Sequence, residues 1–105
     1  MKLSGFQDWC ALHYPTRDKI NAPARALRVE AAYGDLDAHF QRDRFRAILA
    51  ELKYSTEDER NNAPNPSRIE INGKLRTNLG SLASAVRRYA EYAEDSAANG
   101  ADAKG

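Results

Sequence analysis

Between residues 75 and 93 the apolar side chains Leu75, Leu79, Leu82, Val86, Tyr89 and Ala93 recur at spacings of 4, 3, 4, 3 and 4. That is the period of one face of an α-helix, so this stretch predicts a helix with a single apolar seam along its length. A seam of this kind has to be covered by other apolar faces. It stops at about Ala93, too early for a long coiled coil, and packing inside a helical bundle is the expected use.

The rest of the chain supplies shorter helical pieces to cover it. Ser4 followed by Gln7 spells a capping box before Phe6, Trp9, Cys10 and His13, which share one helical face. This first helix is expected to run to about Tyr14, where Pro15 removes an amide and disfavours helical geometry before it. A second helix is expected from near Asn21, with Pro23 in its first turn, to a C-cap at Gly34. A short turn over Leu36–Phe40 leads to Asp43 as an N-cap, and Phe45, Ile48, Leu49 and Leu52 follow at i, i+3, i+4 and i+7. Ser55 and Asp58 open another helical turn, ended by Pro64-Asn65-Pro66-Ser67. Arg68-Ile69-Glu70-Ile71 alternates before Asn72-Gly73 and reads as extended.

The expected fold class is therefore all-α: a compact bundle of four to five helices with one short extended segment near Arg68–Ile71. A length of 105 residues suits one core. Residues 1–94 form the expected domain, and the polar, aperiodic stretch 95–105 a disordered tail. Leu, Ile, Val and Phe number only 18, but Trp9 and five tyrosines add apolar area, and 18 alanines favour helix and allow close helix approach. The single Cys10 points to a reducing compartment, and no apolar run approaches a membrane span, so cytoplasm without membrane contact is expected.

No catalytic or metal site is legible. Cys10 and His13 stand three residues apart, but a structural zinc site takes about four ligands, and His39 has no cysteine near it; packing at a helix edge explains the pair. Adjacent Glu57, Asp58 and Glu59 point in different directions on a helix and read as a solvated N-terminus rather than a cation site. No nucleophile, base and charge stabiliser can be assembled, and no glycine-rich phosphate loop is present, so the chain reads as non-enzymatic and without a cofactor.

Charge distribution says more than net charge. The formal balance is +1, yet between Arg68 and Tyr89 five basic residues stand against Glu70 alone. Arginine makes up 11 of the 16 basic residues, and its planar fork suits phosphate or carboxylate. On the face of the last helix opposite the seam, Arg87 and Arg88 follow Gly80, Ser81 and Ser84, small and hydroxyl residues that let a phosphate backbone approach. Arg68, Lys74, Arg76, Ser84, Arg87 and Arg88 are thus the candidate nucleic-acid-binding residues, making weak, phosphate-mediated contacts. Pairing of the two arginines with Glu91 and Glu94 is the competing expectation. Tyr54 and Tyr92 are candidate stacking groups.

From Leu49 to Tyr92 the chain carries Tyr54-Ser55, Asp58-Glu59-Arg60, Pro64-Asn65-Pro66-Ser67, Ile69, Ile71, Gly73, Asn78-Leu79, Ser81-Leu82, Ser84-Ala85-Val86 and Tyr89. In these residues it resembles the N-terminal helical segment of bacterial restriction-related proteins, McrB-like or nuclease-associated, and is similar to the SAM-like core-binding modules of phage-type integrases. The resemblance implies an accessory module that engages DNA or a subunit while the enzymatic part lies elsewhere, and it assigns no catalytic residue. The alternative is a protein-interaction or dimerisation domain of a larger protein, with Phe6, Trp9 and Tyr92 as anchors.

Overall fold

The seam of the last helix is buried as one strip: Leu79, Leu82, Val86 and Tyr89 are each at most 1% exposed. The computed structural model describes residues 1–14 and 16–104, with side chains described at all but residue 18 and residues 97–104. Its helices are α1 (Leu3–His13), α2 (Asp18–Tyr33), α3 (Leu36–Asp43), α4 (Arg46–Leu52), the single-turn α5 (Thr56–Arg60) and α6 (Leu75–Lys104). The molecule is the expected all-α bundle. Alanines 22 and 26 with Val29 carry α2 against α6, Phe6 and Cys10 bring in α1, and Ile48 and Leu52 close the far side from α4. The segment expected to be extended, Arg68–Ile71, is irregular, with a bend over Ser67–Ile69, and no strand forms among the described residues.

Several ends differ from expectation for tertiary reasons. Helix α1 starts at Leu3, so Ser4 lies inside it and forms no capping box. The start is fixed instead by distant groups: the Lys2 amide donates to the Tyr89 hydroxyl at 2.9 Å, and the Met1 ammonium reaches Glu30 at 2.6 Å and Asp35 at 2.9 Å. Helix α2 begins three residues ahead of Asn21, through a tight turn in which the Lys19 and Ile20 amides donate to the carbonyls of Thr16 and Arg17. Pro23 then sits one turn deeper than expected and is tolerated because it costs a single near-terminal hydrogen bond. The N-cap of α4 is Phe45 rather than Asp43, which ends α3: the chain turns through left-handed Arg44 and Phe45 (φ 53° and 68°), while the Asp43 carboxylate still accepts from the Ala47 amide. That turn inserts Phe45, fully buried, beside Phe40 and Tyr89.

Other signals form as read. Gly34 caps α2 at φ 94°, and Ser55 and Asp58 make a reciprocal capping box. The Pro-Asn-Pro-Ser loop folds around Asn65, whose Oδ1 accepts from the Ser67 amide and hydroxyl and whose Nδ2 donates to the Ile69 carbonyl. This delivers Ile69 to the core. Of the expected tail over 95–105, Asp95 and Ser96 are helical, and Asp95 accepts from the Trp9 indole at 2.9 Å. The helix continues to Lys104 in place of the expected disordered stretch, and residue 105 lies outside the described residues.

Candidate nucleic-acid interface

The side of α6 away from the seam is low. Gly80, Ser84 and Arg87 stand exposed along it at helical spacing, and α4 and α2 rise on either flank. Between α4 and α6 runs an open groove of about 530 Å³. Arg46 and Ala50 of α4 and Lys53 at its C-cap line it at i, i+4 and i+7, and Gly80, Ala83 and Arg87 line it from α6 at i, i+3 and i+7. Tyr54 forms one wall, its hydroxyl donating to the Ala63 carbonyl at 2.7 Å. On the other flank, Arg25, Ser81, Ser84 and Arg88 surround a smaller pocket of about 150 Å³ between α2 and α6.

Among the described residues, neither concavity has a carboxylate in its lining. The exposed Arg46, Lys53 and Arg87 form no ion pair among the described residues. Asp58 feels Lys53 only at longer range: its carboxyl is held below the usual range first by the Ser55 amide and hydroxyl, with the Lys53 charge a lesser contribution. Arg88 is half-buried, its guanidinium carbon 4.2 Å from the centre of the Tyr14 ring. The Tyr14 hydroxyl donates to Glu91 at 2.8 Å, and this bond is the main reason its pKa is raised. Glu94 takes Arg44. Glu91 thus accepts from Tyr14 and Glu94 pairs with Arg44, and Arg87 forms no ion pair with either.

Of the residues singled out in the sequence, Ser84, Arg87 and Arg88 come together on this face. Arg68 does not: it lies over the Tyr33 ring at 5.3 Å, with Nε 3.6 Å from Glu51, and clasps the bend over Ser67–Ile69 to α2 and α4. Arg76 pairs with Glu59 at 3.3 Å. Lys74 is exposed ahead of α6 and lines neither concavity. Arg25, Arg46 and Lys53 were missed. Arg46, Ala50 and Lys53 carry a readable signal, since they share the face of α4 away from Ile48 and Leu52; Arg25 has none, because only packing sets α2 beside Ser81.

The aromatic anchors are spent internally. Phe6 is fully buried against Tyr89, edge to face at 5.0 Å, and Trp9 and Tyr92 pack around it. Cys10 is buried, whereas His13 is exposed and stacked on Trp9 at 4.4 Å. Among the described residues no group of three or more His, Cys, Asp or Glu is placed to hold a metal ion, and no helix is long and apolar enough to cross a membrane. No family model, curated protein or solved structure matches the chain.

Proposed function

We propose that this protein is a non-catalytic helical module that docks on DNA through its phosphates, using the face formed by α2, α4 and α6. The observation that carries the reading is the segregation of charge. In a chain of 16 basic and 15 acidic residues, the cations Arg25, Arg46, Lys53, Arg87 and Arg88 line two adjoining concavities, and no carboxylate lines either among the described residues. Guanidinium forks and serine hydroxyls donate to phosphate oxygens, and the small residues between them permit close approach. The likeness drawn over Leu49–Tyr92 supports the same reading: a cytoplasmic, SAM-like accessory to a restriction or recombination enzyme.

Titration against DNA at two salt concentrations tests it. Each phosphate neutralised contributes about −0.9 to the slope of log affinity against log salt on duplex, or about −0.7 on a single strand. Salt-dependent binding that weakens when Arg46, Lys53 and Arg87 are replaced together is expected; affinity indifferent to salt, or absent even at low salt, refutes the reading.

A second reading, an interaction domain, has one specific observation behind it. Leu12, Ile20 and Leu27 are exposed, and Ile20 and Leu27 line a mostly apolar groove of about 420 Å³ between α1 and α2. Lys19 is the one charged residue in that lining among the described residues, so the occupant it suits is an amphipathic helix with an acidic flank; a second copy would set Lys19 against itself under two-fold symmetry. Leu27→Glu together with sedimentation at several concentrations separates the cases. A self-association abolished by this change reveals a second copy, and a strict monomer leaves the heterologous partner.

A further inference from the structure

We infer that Asn72 is the position at which the folded chain deamidates, its side-chain amide converting spontaneously to aspartate and isoaspartate through a cyclic imide with Gly73. The chemistry needs an asparagine side chain open to water and a following main-chain nitrogen free to attack it. The Gly73 nitrogen gives its proton to solvent base and bonds to Cγ of Asn72, while the Cγ–Nδ2 bond breaks and ammonia leaves. Water then adds to either carbonyl of the ring. Opening at one restores the main chain with an aspartate side chain, and opening at the other gives isoaspartate, whose main chain runs through Cγ. One water is consumed and one ammonia released, with no oxidant or cofactor.

The chain holds seven asparagines, and the fold leaves one of them poised for this reaction. Ala22 and Leu79, which follow Asn21 and Asn78, lie inside α2 and α6, where their amides belong to the helical ladder. The nitrogens after Asn61 and Asn62 are occupied, since the Asn62 amide donates to the Glu59 carbonyl at 3.2 Å and the Ala63 amide to the Asp58 carbonyl at 2.9 Å. Pro66, after Asn65, has no amide hydrogen to lose. Asn72 and Gly73 are both exposed, and neither the Asn72 side chain nor the Gly73 amide makes a hydrogen bond among the described residues. Gly73 stands at φ 99°, and with no Cβ it leaves the approach to Cγ unobstructed.

Asn99-Gly100 repeats the dipeptide, so local sequence alone treats the two positions alike. Gly100 lies inside α6, however, and its amide points along the helix axis, away from the path of attack. Both products at position 72 alter the approach to α6. The new carboxylate takes the formal net charge from +1 to zero. Ile71 and Leu75 are partly buried against the core, so the residues between them span two held points. Isoaspartate adds one methylene to that span, about 1.5 Å of chain, whereas aspartate adds none. The inference stands apart from the docking reading, because neither Asn72 nor the neighbouring Lys74 lines either concavity.

The experiment is incubation of the full chain near neutral pH, in buffer and in concentrated urea, with peptide mass spectrometry following the unit mass gain at each asparagine. An isoaspartyl methyltransferase with a labelled methyl donor counts isoaspartate. Expected in buffer is conversion at Asn72 about tenfold faster than at Asn99, and loss of most of the methyl-accepting signal in Asn72→Gln. In urea the two Asn-Gly pairs should convert at the same rate. The isoaspartyl chain, separated by chromatography, should melt a few degrees below Asn72→Asp. Asn99 converting as fast as Asn72 in buffer, a difference undiminished by urea, or a methyl-accepting signal unchanged in Asn72→Gln overturns the inference. Identical melting of the two products overturns the claim that the segment is held at both ends.

Discussion

Replacing Tyr89 by phenylalanine isolates the polar contact that ties the two ends of the chain together. The ring keeps its edge-to-face contact with Phe6 and its packing on Phe45, so the hydrophobic contribution is unchanged. What is lost is the hydroxyl, which donates to Asp37 Oδ1 and accepts from the Lys2 amide in a fully buried residue. A hydrogen bond to a charged group is worth about 1.5–3 kcal/mol, and the stranded Lys2 amide adds about 1 kcal/mol. Asp37 retains some access to water and the Met1 ammonium at 3.6 Å, which places its share near the lower end. A loss of about 2–3 kcal/mol is expected, which for a domain of this size lowers Tm by about 10–20 °C. Urea denaturation followed by far-UV circular dichroism measures it, with an unchanged m-value marking a pure stability effect. Tyr92→Phe is the control, because its hydroxyl makes no hydrogen bond among the described residues. If Tyr89→Phe falls within about 0.5 kcal/mol of the parent, the ordinary range for surface changes, the account of how α1 is anchored is wrong.

Further outcomes follow from the same contacts. A Cβ at Gly5 overlaps the Tyr92 hydroxyl oxygen and stands 3.1 Å from Cζ. Gly5→Ala should therefore destabilise by about 1–2 kcal/mol despite the better helix propensity of alanine. In a Tyr92→Phe background, which removes the overlapping oxygen and leaves the 3.1 Å approach to Cζ, the same change should cost less, and a double-mutant cycle with no coupling would show the overlap to be irrelevant. Stability should also fall at alkaline pH. Burial pulls the Met1 ammonium pKa down, but hydrogen bonds to Glu30 and Asp35 and the charge of Asp37 outweigh it and raise it from 8.0 to about 10. The folded state thus holds this proton more tightly than the unfolded one, so the contribution is complete below pH 8 and lost as pH rises through about 10. Burial, followed by the Asp37 bond, likewise raises Tyr89 above the ordinary 10.0 and continues the loss beyond that pH. Denaturation midpoints from pH 7 to 10 read this, and acetylating the α-amine should remove the slope between 8 and 10. Finally, Arg87→Ala should weaken DNA binding and reduce the salt slope by about 1, whereas Arg76→Ala, already paired with Glu59, should leave both unchanged. Equal effects from the two would place the interface elsewhere.

The sequence by itself determined the helical class, the seam and most of the punctuation. Leucines at 79 and 82 with Val86 and Tyr89 must face inward, whatever they meet, because their spacing matches the helical period and water is a poor solvent for them. Gly34 and the Ser55–Asp58 box act within a few residues of themselves and were legible for that reason. The start of α1 was not, because the Lys2 amide is satisfied by a hydroxyl 87 residues away, and a long-range bond leaves no local pattern. Charge behaved the same way. Arg68, Arg76, Arg87 and Arg88 look equivalent as a basic run, but Glu51 and Glu59, brought in from α4 and α5, occupy the first two. Arg87 instead opens onto a groove whose other cations come from α4, and Arg88 meets Arg25 of α2 across the smaller pocket. Helical period fixes which way a side chain points, whereas the neighbour it finds there depends on how separate helices pack, and only the tertiary structure decided that.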